Sequence, residues 1–460
     1  VLILQKYLKV VLIILGLTLC VISIKNTNNL FFVIGVFYFV FALLRPNINF
    51  YILVIVCFGL AVLKILAFRI DVGIPINVLD VLILVLLVNM VLRKKEYESN
   101  APDSYRYLIY SYIIFSVYAL AIGVIRQYSF YNILKDARVP IYFLVVYYYA
   151  RLNLTTLDKM KKLLNLILIS GILVSIQQIY TFITEGTNSN FSDYSGRDVS
   201  TPIGTAILAL LLLVIYFKST PGFKKMKVLY FCSLSILGIG IVFSLTRSVW
   251  ISLILTAILY YVLMPNKTIN FKKMIIYSLI ILIGIALFQM FFADTEVNKI
   301  VNLINMRVND TLMMFTNNGD TIAGRFNVAG YAIKQINSLG LFMGKGFGSY
   351  IVLPASLNGT EIEIIGLENS FLHYCWKFGI FGSIFTFLMF ILKIIDIYKG
   401  YKENKKKKYS NIVLAFFSYS AILFIISIWS QGINIAYVMP AWGIFLGMNY
   451  RKIMESVQDD

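Results

Sequence analysis

Apolar runs of roughly twenty residues follow one another along most of this 460-residue chain, and that repetition limits what it can become. Each run is long enough to cross a hydrocarbon core of about 30 Å. Within a bilayer the backbone must satisfy its own polar groups, so helices are the default way across. Hydrophobic residues make up 59% of the chain and charged residues 14%, which leaves far too little charged surface for a soluble protein of this length. The sequence therefore predicts an all-α polytopic membrane protein. Candidate spans lie near 8–24, 29–44, 49–68, 77–92, 106–125, 137–152, 163–183, 200–217, 228–245, 247–264, 274–293, 369–394, 409–430 and 434–450, about fourteen transmembrane helices. The segment from Lys6 to about Ile24 has the charge and apolarity of a signal peptide. It lacks a small-residue cleavage site and another span follows at once, so it reads as a retained first helix.

The net charge of +19 raises the question of nucleic acid, and its distribution answers it. Lys and Arg gather in short loops at alternate turns of the chain, as the positive-inside rule requires. The blocks Arg93 to Lys95, Lys159 to Lys162, Lys224 to Lys227, Lys272 with Lys273, and Lys405 to Lys408 read as cytoplasmic anchors that touch anionic membrane lipids. That pattern puts both termini in the cytoplasm and argues against a nucleic-acid partner. Cys20, Cys57, Cys232 and Cys375 each lie in or beside an apolar run, without CxxC or His pairing, and read as small core residues.

Between about 294 and 367 the apolar rhythm stops. The chain then divides into a helix bundle of about eleven spans (1–293), a large extracytoplasmic loop containing short helices (294–367), and about three C-terminal spans (368–460). Two shorter outer loops are read at 126–138 and 184–199. No internal repeat is visible, which weighs against transporters built from duplicated halves.

Few residues outside this scaffold carry chemistry. Arg247 sits in SLTRSVW at a tight outer hairpin, where an arginine near hydrocarbon either snorkels or binds an anion. Arg197 and Arg138 lie on neighbouring outer loops, each open to a plain surface role or to ligand contact. Arg325, in GRFNVAGYAIKQ, is read at the start of an amphipathic helix whose apolar face, with Phe326, Ala329, Ile333 and Ile336, lies either on the membrane or on the bundle. There it would meet the free N–H groups that favour an anion. The glycines of GKGFGSY, Gly344, Gly346 and Gly348, form either a structural turn or a nest of N–H groups for a phosphate. Glu368 stands where the loop meets the next span. It is either a helix-start carboxylate or, with its pKa raised by desolvation, a general base. His373, the one histidine, is five residues on and about 140° around the helix from Glu368, so it reads as a packing residue. There is no DxD, no HExxH and no Cys/His cluster, so the sequence calls for no metal and no cofactor. A reaction here would draw its driving force from an activated substrate such as a lipid diphosphate, whose leaving group clustered arginines suit.

The order GR-x-x-x-A, then GKGFGSY, then a Glu-Asn-Ser helix start resembles the bacterial O-antigen polymerase and O-antigen ligase superfamily. Asn369 is followed by nine residues and then Gly379-Ile-Phe-Gly382, similar to the family's His-Asn (or Ser, Gln), nine residues, G-x-x-G pattern. The likeness covers roughly 190 to 385. It implies a GT-C-like bundle and an inverting, metal-independent transfer of glycan from an undecaprenyl-diphosphate carrier in a bacterial cytoplasmic (inner) membrane. Arg247 and Arg325 match the arginines that hold the diphosphate, with Arg197 assisting and Asn369 orienting a sugar or the loop. Glu368 stands where the family's ligases place a histidine base, which favours a polymerase over a ligase. A flippase is the rival from another class, and the long polar interval argues against it. Flippase and chain-length regulator proteins are the partners the resemblance implies.

Overall fold

The computed structural model describes residues 45–58, 69–71, 75–92, 105–182, 200–219, 227–244, 246–264, 320–336, 338–353, 362–364, 367, 369–407, 409–429 and 438–456. The spans read at 8–24, 29–44 and 274–293 lie outside the described residues, as do Cys20, Arg197 and Glu368. At Arg247 and Arg325 the description extends to the backbone alone.

The described chain runs through α1 (Pro46–Phe58), a hairpin of β1 (Arg69–Asp71) and β2 (Pro75–Asn77), then α2 (Val78–Leu92) and α3 (Arg106–Ile125). There follow α4 (Phe130–Asn153), α5 (Leu157–Thr181), α6 (Ser200–Ser219), α7 (Lys227–Phe243) and α8 (Arg247–Leu263). Next come α9 (Asp320–Gln335), α10 (Ser338–Met343) and a hairpin of β3 (Ile351–Leu353) with β4 (Ile362–Ile364). The chain ends in α11 (Ser370–Glu403), α12 (Ser410–Trp429), α13 (Met439–Gly447) and α14 (Tyr450–Glu455). Four of these, α3, α5, α11 and α12 over Ser410–Ile428, are long and apolar enough to cross a membrane. Shorter apolar helices surround them. Large apolar side chains such as Ile114, Val117, Ile125, Ile254 and Val262 stand exposed on the bundle's outer surface, as lipid contact requires. This is a multi-pass helical membrane protein.

Helix contacts are made where small residues let backbones approach, the usual device among helices in lipid. Gly443 and Gly447 of α13 lie against the backbone of α4 at Phe143 and Tyr147, where a methyl group would collide with carbonyl oxygens. Gly171 of α5 meets Ala209 of α6, and Gly240 of α7 meets Ser175 of α5. Around these contacts an aromatic core joins Tyr112, Phe143, Tyr147, Phe378, Phe390 and Trp442.

Hydrogen bonds at the helix ends fix which termini share a side. Tyr401 at the close of α11 donates to the carbonyl of Leu263 at the close of α8. Ser456 after α14 accepts from the first N–H of α5, and Arg451 of α14 pairs with Glu403 at 3.0 Å. The starts of α8 and α11 and the finish of α5 therefore all point toward the opposite end. This is called the site end below.

The structure differs from the sequence reading in four places. The loop read at 126–138 is a short turn, because α4 begins at Phe130 and carries Lys135, Asp136 and Arg138 within the helix. Asp136 and Arg138 are instead neutralised within the bundle, as described below, while Lys135 is exposed. The span read at 369–394 continues to Glu403, and the last span is interrupted after Gly447. Arg325 is not at a helix start: α9 begins at Asp320, an acidic residue where the helix dipole favours one, so Arg325 sits in the second turn. On α9 Ala332 is buried and Val328, Tyr331 and Ile336 pack with it, while Ile333 is exposed.

Candidate functional site

The site is organised by a break in α11. Gly379 has φ 76° and ψ 176°, a conformation open only to glycine, so the helix is interrupted within its membrane-spanning length. The break turns two carbonyls out of the helical ladder, and the GKGFGSY turn uses them. Lys345 N–H donates to the Trp376 carbonyl at 2.7 Å and Gly346 N–H to the Lys377 carbonyl at 3.1 Å. Gly344, Gly346 and Gly348 all have positive φ, which lets the turn fold this tightly.

The turn is a re-entrant element. Lys377 is seven residues into α11, about 10 Å along the axis from Ser370 at 1.5 Å per residue. Phe347 N–H donates to the carbonyl of Ala119, which is similarly deep in α3, at 2.9 Å. Irregular backbone at such depth is tolerated only when protein satisfies its polar groups. Here five successive N–H groups are accounted for. Gly344 donates to the Gly340 carbonyl, Lys345, Gly346 and Phe347 donate as above, and Gly348 donates to Asp136 Oδ2 at 2.7 Å. Part of the interval read as an outer loop thus lies among the helices. Gly123 is the matching signal on α3, where any side chain would overlap the Phe347 carbonyl.

An ion pair locks the turn in place. Lys377 Nζ lies 2.6 Å from Asp136 Oδ2 and donates to the Ser349 carbonyl at 2.7 Å. Both side chains are buried, Lys377 1% exposed and Asp136 8%. An ionisable residue inside an apolar span is costly and calls for a partner, and YCWKFGIFG carries that signal in the sequence.

Above the turn, α9 closes over the start of α11. Ala332, Ile351, Leu367 and Trp376 form a buried cluster with Val328, Tyr331, Ile336 and Leu372 at its margin. The Gln335 amide pairs in both directions with the backbone of Val352 on β3. Arg325 lies seven residues before Ala332, hence about 20° from it around α9, on the face turned toward this cluster. Asn369 caps α11, its Oδ1 accepting from Leu372 N–H at 2.9 Å. His373 is buried and its Nδ1 accepts from Leu367 N–H at 3.4 Å.

Arg247 begins α8 in a hairpin held from several directions. Ser244 and Thr246 exchange side-chain and backbone hydrogen bonds, and Trp250 Nε1 donates to the Ile241 carbonyl at 3.0 Å. Gln178 of α5 donates to the Phe243 carbonyl at 3.0 Å, and Phe182 stacks on Phe243. Arg138 is engaged in a two-point pair with Asp80, at 2.9 and 2.8 Å, and Tyr142 also donates to that carboxylate. Gly346 and Gly348 have their N–H groups spent within the fold, so they act on the shape of the turn. The structure thus brings Arg247, Arg325, Asn369, Arg138 and the glycine turn to one end of the bundle. Among the described residues no three His, Cys, Asp or Glu side chains gather to hold a metal ion.

Residues 231–387 match the family model described as O-Antigen ligase. The matched stretch runs from α7 through the broken part of α11 and takes in Arg247, Arg325, the glycine turn and Gly379. The chain therefore carries a segment of the kind found in the O-antigen polymerase and ligase superfamily. A search of curated proteins gives no match.

Proposed function

We propose that this protein is a polysaccharide polymerase. It joins oligosaccharide repeat units carried on undecaprenyl diphosphate into capsular or O-antigen-type polymer, with the site end at the outer face of a bacterial inner membrane. The observation that carries this reading is the gathering of the Arg247 hairpin, the Arg325 helix and the capped start of α11 at one end of the bundle. All three lie within the stretch that matches the family model. The sidedness is supported by Lys405, Lys406, Lys407 and Lys452 at the opposite end, where the positive-inside rule expects the cytoplasm. Flippase and chain-length regulator proteins would supply its substrate and set its product.

In this reaction an acceptor sugar hydroxyl attacks the anomeric carbon of the donor chain from the face opposite the diphosphate. The new C–O bond forms as the bond to the diphosphate oxygen breaks, and undecaprenyl diphosphate leaves with the electron pair. Arg247 and Arg325, with Arg197, stabilise the charge on that leaving group. Glu368 takes the hydroxyl proton, and Asn369, which caps α11, orients a sugar or the loop. Inversion at the anomeric carbon follows from this direction of attack, and in this reading the arginines take the place of a metal ion at the diphosphate.

Reconstitution in liposomes with lipid-linked repeat units tests the proposal. Wild type should give a ladder of growing glycan, and Glu368→Gln, Arg247→Ala and Arg325→Ala should each slow it by about 100-fold or more. Unchanged polymer from both Glu368→Gln and Arg325→Ala would rule the assignment out. One transfer onto a different acceptor would mean a ligase, and translocation without bond formation a flippase.

A further inference from the structure

A polymerase of this kind handles two diphosphates at once, because donor and acceptor are both carried on lipid. Arg247 and Arg325 account for one of them. The site end holds a second group of cations that this reaction does not yet use. Arg126 follows the last turn of α3 and its Nη1 donates to the Lys345 carbonyl at 3.4 Å. Lys345 projects from the glycine turn, half-buried, with Nζ 4.5 Å from the centre of the Trp376 ring. Lys135 stands exposed on α4, next in the chain to Asp136, which holds the Gly348 N–H of the turn.

Three features set this group apart from the other basic residues around it. Lys377 and Arg138 are neutralised by Asp136 and Asp80. Arg126 and Lys345 meet no carboxylate among the described residues, and their two positive charges repel one another. Like charges held together without a counter-ion are costly, and more so on the side of a membrane where basic residues are disfavoured. Second, Lys345 is oriented by its packing on Trp376, and Arg126 by its bond to the turn, so neither is a loose surface chain. Gln127, beside Arg126, is held at φ 55°, an uncommon conformation for a residue other than glycine. Third, apolar residues run directly below both cations. Val124 and Ile125 precede Arg126, while Leu341, Phe342 and Met343 precede the turn that bears Lys345, and all five are exposed. An anionic head at the cations with a hydrocarbon tail along these side chains satisfies both halves of the surface.

We propose that Arg126 and Lys345, assisted by Lys135, bind the diphosphate of the acceptor lipid, a polyprenyl diphosphate. This rests on the polymerase reading above. The acceptor keeps its diphosphate through the reaction, so this site anchors a charge without having to stabilise a leaving group.

The test is binding to the full-length protein in an Arg247→Gln/Arg325→Gln background, which removes the donor arginines. The probe is undecaprenyl diphosphate in phosphatidylcholine vesicles, followed by tryptophan emission, with thermal stabilisation as a second readout. We expect saturable binding, weakened roughly tenfold or more by Lys345→Met and by Arg126→Gln, as loss of a charge-assisted contact implies, and largely kept by Lys345→Arg. Arg126 is exposed, and the turn is held at Lys345 by its backbone N–H, which the substitution keeps, so the variants should remain assembled. Absence of binding overturns the site, as does undiminished binding in the Lys345→Met/Arg126→Gln double variant. Equal responses to phosphatidylglycerol vesicles or to inorganic pyrophosphate would also overturn it, by showing a general anion patch. The glycan ladder is read separately with the native arginines in place. A ladder that survives while this binding is absent refutes the second site alone, and a ladder that never forms refutes the polymerase.

Discussion

Gly379→Ala should leave the protein unable to assemble its site end, with a loss of at least about 3 kcal/mol. The backbone conformation at this position costs any other residue about 1–3 kcal/mol. A methyl group there would also overlap the carbonyl oxygen of Phe342 and crowd the amide of Gly344. To relieve that overlap α10 and the turn would have to withdraw. The carbonyls of Trp376 and Lys377 would then lose their donors at a depth where water cannot replace them. The measurement is the midpoint of thermal aggregation of the full chain in detergent, beside Gly330→Ala as a comparison. Gly330 lies within α9 with open space around it, so alanine there should be neutral or stabilising by up to about 1 kcal/mol. Comparable stability of the two variants would show that the break in α11 does not hold the turn.

The same glycine shows how much of this molecule its sequence discloses. Helices such as α3 fall where hydrophobic length places them, because a bilayer leaves the backbone few alternatives. The G-x-x-G pattern is visible as a pattern, but its two glycines act by different physics. Gly379 breaks the helix, whereas Gly382 lets Phe115 of α3 come within 3.0 Å of where a side chain would begin. Spacing alone cannot separate those roles. The misreading of 126–138 has a similar source. Lys135, Asp136 and Arg138 look like a solvated loop until Lys377 and Asp80 are known to face them, and those partners are 241 and 58 residues away in the chain. On α9, Ala332 is small and carries little weight in any hydrophobic pattern, yet it is the residue buried in the cluster with Trp376. Local periodicity reports what a helix can bury. The surface that arrives to cover it is a long-range fact.

The Asp136–Lys377 pair should respond to substitution in a way that Coulomb attraction alone does not predict. Lys377→Met leaves a carboxylate buried without its cation and should cost about 3–5 kcal/mol. Asp136→Asn keeps an acceptor for Gly348 N–H but strands the ammonium, at a similar order of cost. The double variant Lys377→Met/Asp136→Asn removes both charges and still offers Gly348 an acceptor. It should therefore be more stable than the sum of the single losses by roughly 2 kcal/mol or more, read by denaturing-detergent titration of the purified protein. The decisive comparison is the exchanged pair, Asp136→Lys/Lys377→Asp. It preserves the attraction between opposite charges, but it sets a lysine donor against the Gly348 N–H and a carboxylate acceptor against the Ser349 carbonyl. Two backbone groups of the re-entrant turn would then face their own kind in a site without water, at a cost of about 1–3 kcal/mol each. The exchanged pair should accordingly be less stable than the neutral double variant. An exchange as stable as wild type would mean that the turn does not depend on this pair for its backbone partners. The order acid on α4, base on α11 is thus dictated by the turn between them: a peptide group entering the bundle brings one donor and one acceptor, and each must find its complement already in place.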